Sequence, residues 1–185
     1  MRWEELFHDL EGQLEAADAR ELAVEVADRT RREAARLRLV DRLRASTGQE
    51  LRLQVQGVGA VLGRLAGVGS QWVLVAGEQD RETLVPLHAV ISVSGLGDGA
   101  VDPSGRDQVF ARLGLGSALR GIARDRVVVT AWLVDGSAVS GTVDRVGADY
   151  LELAEQRGMG EAIRDRSPRG VLSVPFPALA ALRLG

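Results

Sequence analysis

LRLQVQGVGAVLGRLAGVGSQWVLVAG (51–77) and VTAWLVDGSAVSGTVDRVGADYLELAE (129–155) are two versions of one pattern, and their correspondence decides the fold. Leu51, Leu53 and Val55 alternate with Arg52, Gln54 and Gln56, as a strand with one buried face requires. At a shift of 78 residues, Leu51, Val55, Val61, Leu65, Val73 and Val75 fall on Val129, Leu133, Val139, Val143, Leu151 and Leu153. Gly63 falls on Gly141, and Val68-Gly69 on Val146-Gly147. Chance alternation reproduces apolar positions but not paired glycines. A glycine in mid-strand marks a sharp bend or bulge, the device that curls a small sheet.

The match continues outward. Past an insertion of 11 residues it resumes at a shift of 89, setting Val85-Pro86-Leu87 on Val174-Pro175-Phe176 and Ala89-Val90 on Ala178-Leu179. The apolar segments 83–95 and 171–184 thus end the two copies. Between the copies lie a glycine-rich linker, 95–105, and QVFARLGLGSALRGIARDR (108–126), which reads as a helix weakened by Gly114 and Gly116.

Ahead of the first copy, residues 2–46 contain no proline and only Gly12 as glycine, while Ala, Leu, Glu and Arg dominate, so helix is expected. Trp3, Phe7, Leu10 and Leu14 form an apolar stripe, a candidate partner-binding helix face. Ser46-Thr47-Gly48 supplies the stop. One uninterrupted helix would be about 65 Å long; a bent hairpin fits the pattern equally well. Charge is segregated along this arm: residues 1–28 carry nine acidic and two basic residues, and 29–44 carry seven arginines against Glu33 and Asp41.

The predicted architecture is α+β, mainly β. A helical arm, 1–47, precedes a first five-stranded small β-barrel, 48–95. A linker and helix, 96–126, lead to a second barrel, 127–185, with an inserted loop at 156–170. Each barrel is preceded by a helix.

WLVDGSAVSGTVDRVGADYLEL (132–153) resembles the first motif of Sm-like proteins: an alternating strand, an Asp-Gly turn, a bent-strand glycine, then another alternating strand. The resemblance covers about 50 to 60 residues per copy, and 31–46 and 108–124 stand where the family has its leading helix. It implies an SH3-like small barrel. The family's RNA pocket uses an Asp/Asn loop and a later Arg-Gly turn. Here the loop is Val146-Gly147-Ala148-Asp149-Tyr150, without asparagine, and the later turn is Val85-Pro86 or Val174-Pro175. Only Asp149 carries over, and the uridine pocket is not expected.

Composition narrows the chemistry. There is no cysteine, which excludes disulfides, thiolate catalysis and cysteine-bound zinc. All 23 basic residues are arginine, a bias that a high-GC genome explains. A formal net charge of −3 provides no global attraction to a polyanion. His8 and His88 are far apart, without the spacing of a zinc motif. No Walker lysine and no G-x-S-x-G elbow is present. No catalytic residue, cofactor, metal or small-molecule substrate is indicated. The acidic start lacks the form of a signal peptide, and no apolar run reaches membrane-spanning length, so a cytoplasmic protein without a membrane partner is expected.

Two binding readings remain. The first is a scaffold that contacts a protein partner, or itself, through barrel edges and the helical arm. The second is an RNA or DNA binder that uses arginines: Arg29, Arg32 and Arg36 on one helix face, and Arg164, Arg166 and Arg169 in the inserted loop. An enzyme of unknown type ranks third.

Overall fold

The computed structural model describes Ala35 and residues 37–77, 81–97, 106–155 and 170–185, and Leu39–Gly185 form one compact unit. Most of the helical arm lies outside the described residues; of the rest, Ala35 is in a turn and Leu37 and Arg38 are outside any helix, in contrast to the helix expected there, and a short helix α1 (Leu39–Ala45) follows. Thr47 caps it, its hydroxyl donating to the Arg44 carbonyl at 2.9 Å.

Five strands follow: β1 (Glu50–Val55), β2 (Gly59–Val68), β3 (Trp72–Ala76), β4 (Glu82–Pro86) and β5 (Val90–Ser94). Helices α2 (Arg106–Arg112) and α3 (Leu115–Asp125) lead into β6 (Val128–Leu133), β7 (Ala138–Val146), β8 (Tyr150–Glu155), β9 (Val171–Pro175) and β10 (Leu179–Leu184). All ten strands join one open antiparallel sheet in the order β5-β1-β2-β3-β4-β10-β6-β7-β8-β9. The fold is mainly β, as expected, and the strands of the two copies are continuous with one another.

The second five strands repeat the first in order and register. Leu51 faces Gly63 and Val129 faces Gly141; Trp72 faces Pro86 and Tyr150 faces Pro175. Even the irregularities coincide. The β2–β3 ladder slips between Leu65 and Gly67, and the β7–β8 ladder between Val143 and Arg145. The β1–β5 ladder skips Ile91, and the β6–β10 ladder skips Ala180. Each such bulge bends its strand and increases the local twist.

The paired glycines now have a cause. A Cβ on Gly63 would collide with the carbonyl oxygen of Ala76, and one on Gly141 with that of Ala154. Backbone crosses backbone at these points, and only hydrogen fits. The rings of Trp72 and Tyr150 fill the same space beside Gly69 and Gly147.

Three segments differ from the sequence reading. The helix expected over 108–126 is two helices, broken at Leu113, with Gly114 extended ahead of α3. Trp72 Nε1–H and the Ser70 amide and hydroxyl donate to the Leu113 carbonyl at 3.0–3.1 Å. Those bonds hold the break against the β2–β3 turn. Likewise, 83–95 and 171–184 are each cut by a 3-10 turn, Leu87–Ala89 and Phe176–Ala178, so that each copy yields five strands.

Two apolar cores result. One holds Leu43, Leu53, Leu65 and Val73; the other holds Leu119, Leu151, Leu153 and Leu182. No helix among the described residues is long and apolar enough to cross a membrane.

Gly141→Ala is expected to cost about 1–3 kcal/mol, the usual range for forced overpacking. A urea unfolding curve with a lowered midpoint and unchanged slope would show it. Asp135 provides a pH test. The Ser137 hydroxyl and amide both donate to its carboxylate, at 2.7 and 2.9 Å, and hold its pKa below the ordinary carboxylate value. A depressed folded pKa stabilises the β6–β7 turn above the ordinary value, and that contribution fades as pH falls through the depressed one. The Asp135 carboxyl resonance should therefore titrate below the ordinary carboxylate value, and Ser137→Ala should bring it back toward that value.

Candidate functional site

Backbone edges, more than side-chain chemistry, set this surface apart. Among the described residues no three His, Asp or Glu side chains gather as a metal site. A hollow of about 290 Å³ lies between α3 and β7, lined by Ala123, Arg126, Thr142, Val143 and Asp144. It brings no set of catalytic groups together. His88 is exposed, and its Nε2 lies 3.1 Å from the Leu179 carbonyl, to which it donates. Its role is to tie the first copy to the second.

Asp149 is exposed in the β7–β8 turn, where its backbone carbonyl accepts the Phe176 amide at 2.7 Å. The Gln71 carbonyl accepts the Leu87 amide at the equivalent place, at 2.9 Å. Both turns are thereby fixed to the 3-10 segments. The other sequence-predicted site residues, Arg29, Arg32, Arg36, Arg164, Arg166, Arg169, Trp3, Phe7, Leu10 and Leu14, lie outside the described residues.

Sequence reasoning missed the seam at which β4 pairs with β10. Leu182 stands opposite Leu84, and Arg183 opposite Thr83. Each half enters the core of the other. Leu84, of the first copy, packs with the second core, and Ala180 and Ala181, of the second copy, pack with the first. Trp132 joins that face, with the Arg183 guanidinium 4.6 Å from its ring centroid. The β1–β2 turn backs onto the β6–β7 turn so closely that a Cβ on Gly57 would collide with the Leu133 carbonyl. Hence the first copy has glycine where the second has Asp135.

One signal for the seam was present. Leu179-Ala180-Ala181-Leu182 is continuously apolar where β5 reads Val90-Ile91-Ser92-Val93, and a continuous run marks a strand covered on both faces. All four residues of that run are fully buried.

At the two ends of the sheet the same surfaces recur without a partner among the described residues. β5 is the counterpart of β10, and β9 of β4. Ala180 is fully buried, whereas its counterpart Ile91 is 65% exposed. Leu84 and Pro86 are buried; their counterparts Ser173 and Pro175 are exposed, next to Val171 at 56%. An unpaired strand edge presents a row of amides and carbonyls that can take up another chain. Both apolar residues therefore lie beside groups able to form a ladder.

No protein-family model matches the sequence, and no curated protein matches it.

Seam and edge positions should respond differently to truncation. In dilute solution Leu84→Ala is expected to cost about 2–5 kcal/mol, as for other buried leucines. Ile91→Ala is expected to stay within about 0.5 kcal/mol, as for surface sites. Thermal or urea unfolding of the two variants side by side checks the contrast.

Proposed function

We propose that this chain is a non-enzymatic binding and scaffold protein, built as two tandem Sm-like small barrels, that contacts protein partners through the edge strands β5 and β9, whose outer sides have no ladder partner among the described residues. The observation that carries the reading is the seam. Within one chain, a β4-type edge and a β10-type edge already pair and bury leucine and alanine side chains. The sheet ends present one further edge of each type, each with a large apolar residue exposed.

Edge pairing of this kind draws affinity from main-chain hydrogen bonds and selectivity from alternate side chains. Ile91 and Val171 would supply the apolar contacts. Ser92, Ser94 and Ser173 keep the edges polar enough to resist indiscriminate aggregation.

A random peptide library panned on the immobilised full chain tests this. The expected winners are extended peptides with alternating apolar residues, whose affinity drops about tenfold or more, roughly 1.4 kcal/mol, in Ile91→Arg or Val171→Arg. Peptides indifferent to both substitutions would overturn the reading. So would salt-sensitive binding of oligouridylate by a chain that holds no peptide, since steep salt dependence marks phosphate contact.

A further inference from the structure

We infer that the β7–β8 turn of the second copy docks a helical segment of a partner protein, one that presents an aromatic side chain three residues before a break between two helices. This surface is separate from the edges β5 and β9, and its occupant is a helix corner where theirs is an extended strand.

The first copy shows what such a turn can hold. Its β2–β3 turn, Gly69-Ser70-Gln71-Trp72, closes on the corner between α2 and α3. The Leu113 carbonyl, where the two helices part, accepts from the Trp72 indole and from the Ser70 amide and hydroxyl at 3.0–3.1 Å. Gln71 Oε1 accepts the Leu115 amide at 3.3 Å. Phe110, three residues before the break, meets the Trp72 ring edge-on, with centroids 5.8 Å apart and planes at 78°. Its ring also rests on Gly67, where a Cβ would come within 3.3 Å of it. The corner thus offers an aromatic ring, then a carbonyl, then the first amide of a following helix.

The second copy repeats the frame and leaves it open. The Gly147 amide donates to the Tyr150 carbonyl at 2.8 Å, as that of Gly69 does to Trp72, and the Tyr150 ring fills the place of the indole. The bond from Phe176 to Asp149 fixes the turn in advance, so a partner has little to order. Trp72 is 3% exposed, whereas Tyr150 is half-buried and Ala148 and Asp149 are exposed. Among the described residues no helix backbone is bonded to this turn. Three substitutions set its chemistry. The Tyr150 hydroxyl replaces the indole N–H as a donor. Asp149 stands where Gln71 receives a helix N-terminal amide, and a carboxylate complements that positive end better than a neutral oxygen. Arg145 stands where Gly67 seats Phe110; its side chain is 70% exposed, so an arriving ring would stack on the guanidinium. These charges favour a corner whose second helix starts without acidic residues, as α3 does.

Tyr150 is the only tyrosine of the chain, so the full chain labelled with meta-fluorotyrosine has a single fluorine resonance, and it lies at the site. The probe is a free peptide of residues 106–125, the corner itself, which contains neither tyrosine nor tryptophan. Its titration should move the fluorine resonance saturably, with half of the effect below about 1 mM. Phe110→Ala in the peptide should weaken binding about threefold to tenfold, the measure of an aromatic contact. Asp149→Arg in the chain should weaken it by a similar factor. The Asp149 side chain is exposed and the turn is held through its backbone, so that variant should unfold at the same temperature as the wild type. Ile91→Arg and Val171→Arg should leave the titration unchanged, which separates this surface from the edges.

A fluorine resonance still unmoved at about ten times that concentration would overturn the docking site. So would a peptide that is retained by the chain while the resonance stays in place, since it would then sit on another surface. A shift that both Phe110→Ala and Asp149→Arg leave intact would overturn the helix-corner mode of binding. A shift driven by oligouridylate and not by the peptide would make the turn a nucleic-acid pocket and overturn it also.

Discussion

Every strand carries a row of amides and carbonyls on each side, and a buried row without partners costs more than most side-chain contacts return. In this molecule that requirement is met across the middle of the sheet by β4 and β10, which belong to different copies of the repeat. The rest of the structure depends on that ladder. Because the sheet runs through it without interruption, one face at the seam serves the first core and the other face serves the second. Leu84 and Ala180 are therefore core residues of the copy to which they do not belong.

Much of the fold was legible in the sequence because a duplication doubles every signal. The shifts of 78 and 89 residues recur in the strand registers, and the glycine pairs correspond to backbone crossings at Ala76 and Ala154. Local pattern did not show where a strand ends when the apolar run continues past a 3-10 turn, as at Leu87–Ala89. The weak point of the linker helix at Gly114 was legible, but not the contact that holds the break, since that comes from the distant Trp72 indole, which reaches the Leu113 carbonyl.

The seam escaped for a different reason. Alternation tells which face of a strand is buried, but it does not tell which strand lies alongside. Only the departure from alternation at Leu179–Leu182, set against its alternating counterpart, carried that information. The arginine sets and the Trp3, Phe7, Leu10 and Leu14 stripe fall outside the described residues; the interaction surface proposed above rests instead on backbone edges, which no residue motif announces.

The shared packing at the seam limits how the gene can be rearranged. A half cut free at the 96–105 linker would lose the neighbour that completes its interior: Ala180 and Ala181 for one, Trp72 and Leu84 for the other. Such a pair cannot be dealt out as interchangeable modules, because neither is whole by itself. Although it arose by copying, the arrangement ties the fates of both copies, and each constrains how far the other can drift.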